Sequence, residues 1–198
     1  EIGIPVIECA DYMEESALGR AEWMKFYGLL YGREREADSL FAVVEKNYQA
    51  LGKRANQSKV TRSVLPDRKV GPVWYLPGGE SSVGLLYKDA HGMYAYAKDK
   101  HSGSLSMPFE TVLDKFGQSD FWILSYRGDF NRAKLLAEFQ GYSMLKPCRT
   151  GEIYGCKVDS IPYFEEVSWR PDWLLCDLIQ LFHPDLHIAP MRYYHKLK

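Results

Sequence analysis

The sequence has little that would tie it to a membrane, a metal or a nucleic acid. Its most apolar runs, residues 121–124 and 173–181, are short or carry polar residues, well under the ~20 apolar residues needed to span a bilayer. An excess of charge of one sign is also missing. Twenty-five basic against 26 acidic side chains leave a formal charge of −1 over 198 residues. No global field therefore draws the chain onto nucleic acid or anionic lipid, and no nucleic acid is expected as a partner. The four cysteines, Cys9, Cys148, Cys156 and Cys176, show neither the CxxC spacing of zinc and redox sites nor the density of a disulfide scaffold. Buried free thiols are the expected state. His183 and His187 are four apart, but Pro184 lies between them and the helix reads as ending at His183, so no metal site is expected. The chain contains no GxSxG elbow, HExxH pair or glycine-rich phosphate loop, and neither a catalytic residue nor a cofactor is expected. The first residues, EIGIPVIECADY, lack the basic and apolar regions of an export signal.

What is present is material for a substantial core: 46% of the residues are hydrophobic. Residues 3–9, GIPVIEC, are apolar and β-branched, which predicts a buried parallel strand. Such a strand needs neighbours on both sides, so residues 1–15 are expected to be the last strand of an amino-terminal lobe lying upstream. Leu18, Ala21, Met24, Tyr27 and Leu30 keep helical spacing up to a stop at Gly32. A second helix is predicted over residues 34–55, with Ala37, Leu40, Phe41, Val44, Tyr48 and Leu51 as its apolar stripe. At ~1.5 Å per residue it is about 33 Å long, enough to brace two lobes. Residues 56–69 keep no period and read as a linker, which closes a helical interlobe segment over residues 16–69. From residue 70 short apolar runs alternate with helices, the pattern of an α/β sheet. Strands are predicted at 70–76, 93–97, 121–126 and 153–158, and helices at 83–91, 108–116, 133–139 and 171–182. Residues 70–198 form the expected carboxy-terminal lobe.

Four segments together resemble one family. SALGRAEWMKFYGLLYGREREADSLFAVVEKNY is similar to a segment between two lobes, and VWYLPGGESSVGLLYKDAHG to a first carboxy-lobe strand, ligand-facing loop and helix. SLSMPFETVLDKFGQSDFWIL resembles a helix with its following strand, and SIPYFEEVSWRPDWLLCDLIQLFHPDL the closing loop and helix. The family is that of the periplasmic binding proteins of ABC importers for iron-siderophore, haem or cobalamin, whose two lobes are joined by one long helix. The resemblance maps to the carboxy-terminal half of such a protein. It implies an α/β three-layer sandwich lobe with a mainly parallel central sheet, preceded by the interlobe helix. It also implies a monomer, periplasmic and lipid-anchored, that makes and breaks no bond. Its partners would be an iron-chelate or tetrapyrrole-like small molecule and an ABC permease in the inner membrane. The competing reading is a chelatase-like enzyme acting on metal and tetrapyrrole, because one fold hosts many functions.

Candidate ligand residues follow from both sources. Gly78, Gly79, Glu80, Ser81 and Ser82 lie between an apolar strand and a helix, where open α/β sheets bind ligands, and the glycines permit close backbone approach. An ordinary turn capped by Ser81 or Ser82 explains the same residues. The resemblance folds Trp74, Tyr75, Tyr163, Phe164 and Trp169 toward the cleft, where flat rings suit a macrocycle, although core packing competes for each. Trp74 and Tyr75 face opposite sides of one strand, so at most one reaches a ligand directly. Glu165 and Glu166, beside Arg170, form a charge cluster able to contact a ligand's polar groups, or else a solvated acidic loop. Glu110 is placed at a helix start, which favours a carboxylate. The resemblance gives it a further role, docking onto arginines of the permease.

Overall fold

A computed structural model describes residue 3 and residues 6–198. Helix α1 (Ala17–Leu30) begins where the Ser16 hydroxyl accepts the Gly19 amide at 3.0 Å, and the chain turns after it at Gly32, whose φ is +64°. Helix α2 (Glu34–Ala55) turns Ala37, Phe41, Val44 and Tyr48 inward and leaves Leu40 exposed. The two helices approach closely because residue 28 has no side chain: a Cβ on Gly28 would sit 2.5 Å from that of Ala37. The Tyr48 hydroxyl donates to Asp89 at 2.6 Å and the Asn47 amide to Asp172 at 3.1 Å, so α2 is fastened to the rest of the chain as well as packed on it.

The remaining elements are β1 (Val64–Pro66), β2 (Lys69–Val70), β3 (Val73–Pro77), α3 (Ser82–Asp89), β4 (Ser104–Met107), α4 (Phe109–Phe116) and β5 (Phe121–Tyr126), then α5 (Arg132–Glu138), α6 (Lys146–Thr150), β6 (Ile153–Lys157), α7 (Tyr163–Glu166), α8 (Pro171–Phe182) and β7 (Tyr194–Lys196). Strands β1, β5 and β6 run parallel in the order β1-β5-β6, and β7 closes the edge antiparallel to β6. The fold is thus mixed α/β with a mainly parallel central sheet. Neighbouring residues on β5 point to opposite faces and define the layers. Phe121 packs on Phe182 of α8 with ring centroids 5.2 Å apart, whereas Trp122 packs on Tyr142 at 5.0 Å and on Trp74 of β3 at 5.6 Å. The second face is covered by a small antiparallel sheet, β2-β3-β4, and the turn at Gln140–Met144 rather than by a full layer of helices.

Four expectations need correction. Residues 56–69 are not merely a linker, since β1 lies within them and pairs with β5. The strand expected at 70–76 is a hairpin, β2 and β3, turning at Gly71 with φ +57°. Residues 93–97 form no strand beyond one bridge from Met93 to Ser63; Tyr94 and Tyr96 pack as a turn over Phe116, and the Tyr94 hydroxyl donates to the Pro77 carbonyl at 2.5 Å. Of the strand expected at 3–9, Ile4 and Pro5 fall outside the described residues, while residues 6–9 belong to no strand and Val6 and Ile7 are exposed. His183 is a satisfied core residue, with Nδ1 2.7 Å from the Val60 carbonyl and Nε2 2.8 Å from that of Ala90. Cys148 and Cys156 are buried, and burial pushes their thiols up to about 11 and about 12, which keeps them neutral and unreactive.

Candidate ligand-binding site

A cleft of about 510 Å³ opens where β1 and β5 end and α3 begins. Asp67, Arg68, Tyr75, Ser82, Val83 and Ser125 are among the residues that line it. A smaller hollow of about 110 Å³ shares Asp67, Val83, Leu124 and Ser125 and continues toward Tyr87, Tyr163, Phe164 and Tyr194. Both lie at the carboxyl ends of parallel strands, the place where α/β sheets leave a crevice. The larger one falls within the size range of small-molecule sites.

The loop after β3 reaches this cleft through its last residue only. Ser81 caps α3: its hydroxyl accepts the Gly84 amide at 3.1 Å and donates to the Gly78 carbonyl at 2.7 Å, so it lines the wall with its hydrogen bonds already made. Ser82 follows it, exposed, on the cleft. Gly78 and Gly79 are buried, and a Cβ on either would overlap backbone carbonyls of His101 and Gly103 or of Asp99 and Tyr96. Close backbone approach is indeed why glycine is needed there, but the approaching partner is the 96–103 segment and not a ligand. Glu80 points elsewhere and pairs with Lys100 at 2.7 Å.

The aromatic candidates divide in the same way. Trp74 is wholly buried and its indole N–H donates to the Pro66 carbonyl at 2.9 Å, so it is a core residue, while Tyr75 on the opposite side of β3 is exposed to the cleft. Tyr163 and Phe164 line the smaller hollow. Trp169 packs edge-on against Tyr27 of α1 at 5.5 Å and lines neither space. Glu166 is bound bidentately by Arg192, at 2.8 and 2.6 Å, with the Tyr193 hydroxyl at 3.2 Å. Arg170, expected beside it, pairs instead with Asp172 at 2.9 and 2.7 Å. Glu165 is exposed and unpartnered among the described residues, as is Glu110 in the first turn of α4.

Asp67 was not anticipated. It follows β1 directly, and its backbone lies in the left-handed region at φ +57°, where aspartate is one of the few tolerated residues. The Trp122 indole N–H donates to its carbonyl, fixing the turn from the sheet side. Asp67 is an exposed residue on the cleft wall, but the protein packed around its carboxyl desolvates it and pushes it up to about 6, against the opposing pull of Arg68. Burial also raises the hydroxyls of Tyr87, Tyr163 and Tyr194 well above their usual range, so they remain neutral hydrogen-bonding groups. The available sequence signal was an acidic residue straight after the apolar Val-Leu-Pro, in a stretch whose polarity read as linker. Ser102, Ser104 and Ser125 also enter the cleft wall, and nothing in their local sequence marks them.

Comparison with known proteins places these observations. The family model "Periplasmic binding protein" matches residues 3–159. Two uncharacterized lipoproteins of Methanocaldococcus jannaschii are 28% and 24% identical over 93% and 100% of this chain, which cover 44% and 52% of their lengths. The chain thus spans about half the length of the curated relatives it matches. Among solved structures, a periplasmic heme binding protein from Pseudomonas aeruginosa shares the fold with TM-score 0.68 and 13% identity, over 93% of this chain and 66% of that one. Staphylococcus aureus IsdE, solved with heme, superposes with TM-score 0.64 at 19% identity, over 85% and 66%. An ABC-type Fe3+-hydroxamate transport protein from Saccharomonospora viridis does so with TM-score 0.63 at 20%, over 83% and 55%.

Proposed function

The chain belongs to the periplasmic binding protein family, and from that membership we propose that it is the ligand-binding component of an ABC importer. It captures an iron-chelate, haem or cobalamin-like molecule outside the cytoplasm and delivers it to a membrane permease, without making or breaking a bond. The observation that carries this reading is the cleft of about 510 Å³ at the carboxyl ends of β1 and β5, with the exposed ring of Tyr75 on its wall and the rings of Tyr163 and Phe164 in the adjoining hollow. Flat rings beside hydroxyls suit the face and edge of a chelate or macrocycle. A lipoprotein relative supports an extracytoplasmic, lipid-anchored location, and no helix among the described residues is long and apolar enough to cross a membrane. The exposed, unpartnered Glu110 is assigned to docking on permease arginines. Residues 1–15 are assigned to a preceding lobe that completes the cleft, and residues 16–55 to the interlobe helices.

The test is titration of haemin, ferric hydroxamates and cyanocobalamin by calorimetry against the protein carrying its preceding lobe and against its Tyr75→Ala and Phe164→Ala variants. The reading expects saturable one-to-one binding of one class, weakened in both variants with melting temperature retained. Conversion of a tetrapyrrole and metal by the purified protein would instead favour the chelatase.

A further inference from the structure

Two spaces at the carboxyl ends of the sheet meet at one charged group. Asp67 lines both the cleft and the smaller hollow, and its carboxylate makes no hydrogen bond and no ion pair among the described residues. The usual explanation of a carboxylate in a concavity, a neighbouring cation, holds only in part here: Arg68 pulls on the Asp67 carboxyl without forming an ion pair to it. Among the described residues Arg68 is the one cation lining either space, and its guanidinium leans away: Nη1, which makes no hydrogen bond, lies 3.4 Å from the Glu138 carboxylate, and the group stacks 4.8 Å from the centre of the Phe130 ring. Lys100, farther along the loop, is held by Glu80. The other polar side chains on the walls are hydroxyls, those of the serines and of Tyr75, Tyr87, Tyr163 and Tyr194, and the Cys156 thiol. The result is a site with neutral donors and acceptors around one carboxylate that forms no ion pair and that Arg68 offsets only through space.

Resting on the binding function proposed above, we infer that Asp67 is the specificity residue of this cleft and selects a ligand that carries a cationic N–H donor, an ammonium in the simplest case. The Asp67 carboxylate faces the cleft exposed and with no ion-pair partner among the described residues, and a cation arriving with the ligand supplies one. A dianionic ligand meets the same charge as repulsion, with only the Glu138-engaged Arg68 to offset it. The left-handed backbone at Asp67 is a local cost consistent with a residue held in place for binding. Burial raises its carboxyl only to about 6, so it is ionised at neutral pH and able to discriminate by charge.

The test compares ferrioxamine B, which carries a free ammonium, with its N-acetylated form, which differs in that group, and with haemin, which carries two carboxylates and no ammonium. Affinities are measured by calorimetry at pH 7.5 for the unaltered protein and for Asp67→Asn, which keeps shape and tolerates the left-handed backbone. Ferrioxamine B should bind about tenfold or more tighter than the acetylated form, as one charged hydrogen bond requires. Asp67→Asn should erase that difference and leave the acetylated form unchanged. Equal affinity for the two hydroxamates in the unaltered protein, or tighter binding of haemin than of either, overturns the inference and leaves the transport reading standing. That first comparison needs no variant, so a folding defect in Asp67→Asn cannot mask the outcome. Failure of all three probes and of cyanocobalamin to bind the protein with its preceding lobe attached would bring down the transport reading itself, and the inference with it.

Discussion

Replacing Asp67 with asparagine should stabilise the protein, and only above a defined pH. The folded state raises this carboxyl from 3.8 to about 6, chiefly by burial. A raised carboxyl pKa means that the folded state holds its proton more firmly than the unfolded chain, so stability is unaffected below about pH 4. It falls between about pH 4 and 6, and above that the whole penalty is present. At ~1.36 kcal/mol per pH unit the ceiling is ~3 kcal/mol. Because Asp67 is exposed to the cleft on one side, solvent screening lowers the expected effect to about 1–2 kcal/mol. Asparagine is nearly isosteric, cannot ionise and accepts a left-handed φ, so it removes the charge with little strain. Urea unfolding followed by tryptophan fluorescence reads the difference, since Trp74 and Trp122 are wholly buried and report loss of the core. Asp67→Asn should exceed the unaltered protein by that amount at pH 7.5 and match it at pH 4. A difference of the same size at both values, or destabilisation at pH 7.5, would refute the claim that the ionised Asp67 carboxylate costs the folded state stability.

Trp74→Ala should cost about 3–5 kcal/mol in urea unfolding, as removal of a buried tryptophan does, while Tyr75→Ala should stay within about 0.5 kcal/mol of the unaltered protein and weaken ligand binding instead. Gly79→Ala should lose about 1–3 kcal/mol by thermal melting, because the new methyl must push back the Asp99 and Tyr96 carbonyls; unchanged melting would show that the 96–103 segment yields freely. Glu110→Ala should change stability by less than about 1 kcal/mol and leave calorimetric affinity intact, yet slow uptake in vesicles carrying the permease, with Glu110→Lys slower still. Wild-type uptake in both variants would leave Glu110 as a helix-start carboxylate alone.

Elements with many residues in one pattern were readable from sequence, and those stabilised by a neighbour were not. Helix α2 spans the predicted residues 34–55 because its inward positions repeat over five turns, and β5 and α8 match because their apolar content leaves no other state open. Strand β1 is three residues long in a polar stretch, and its burial is conferred by β5. Strand β7 is polar at its edge and is held partly from outside it, since Asp177 accepts the amides of Arg192, Tyr193 and Tyr194 at 2.7–3.1 Å. The alternation of Tyr94 and Tyr96 mimicked a strand, whereas their rings serve the packing of a turn. For the cleft, the strand-to-helix position was readable, but the reason for its glycines and the presence of Asp67 depend on residues far along the chain, such as Tyr96 and Asp99 for Gly79 and Trp122 for Asp67, which no local pattern encodes.

The fastening of α2 at both Asp89 and Asp172 has a mechanical meaning. Those two bonds come from Tyr48 and Asn47, near the carboxyl end of the helix, and hold that end to the starts and stops of α3 and α8. The opposite end, at Glu34, projects about 20 Å away at ~1.5 Å per residue. Turning on that anchorage at Asn47 and Tyr48, the helix would carry any tilt to Glu34 over an arm of about 20 Å. Cutting either bond would loosen the anchorage without touching a single residue of the cleft.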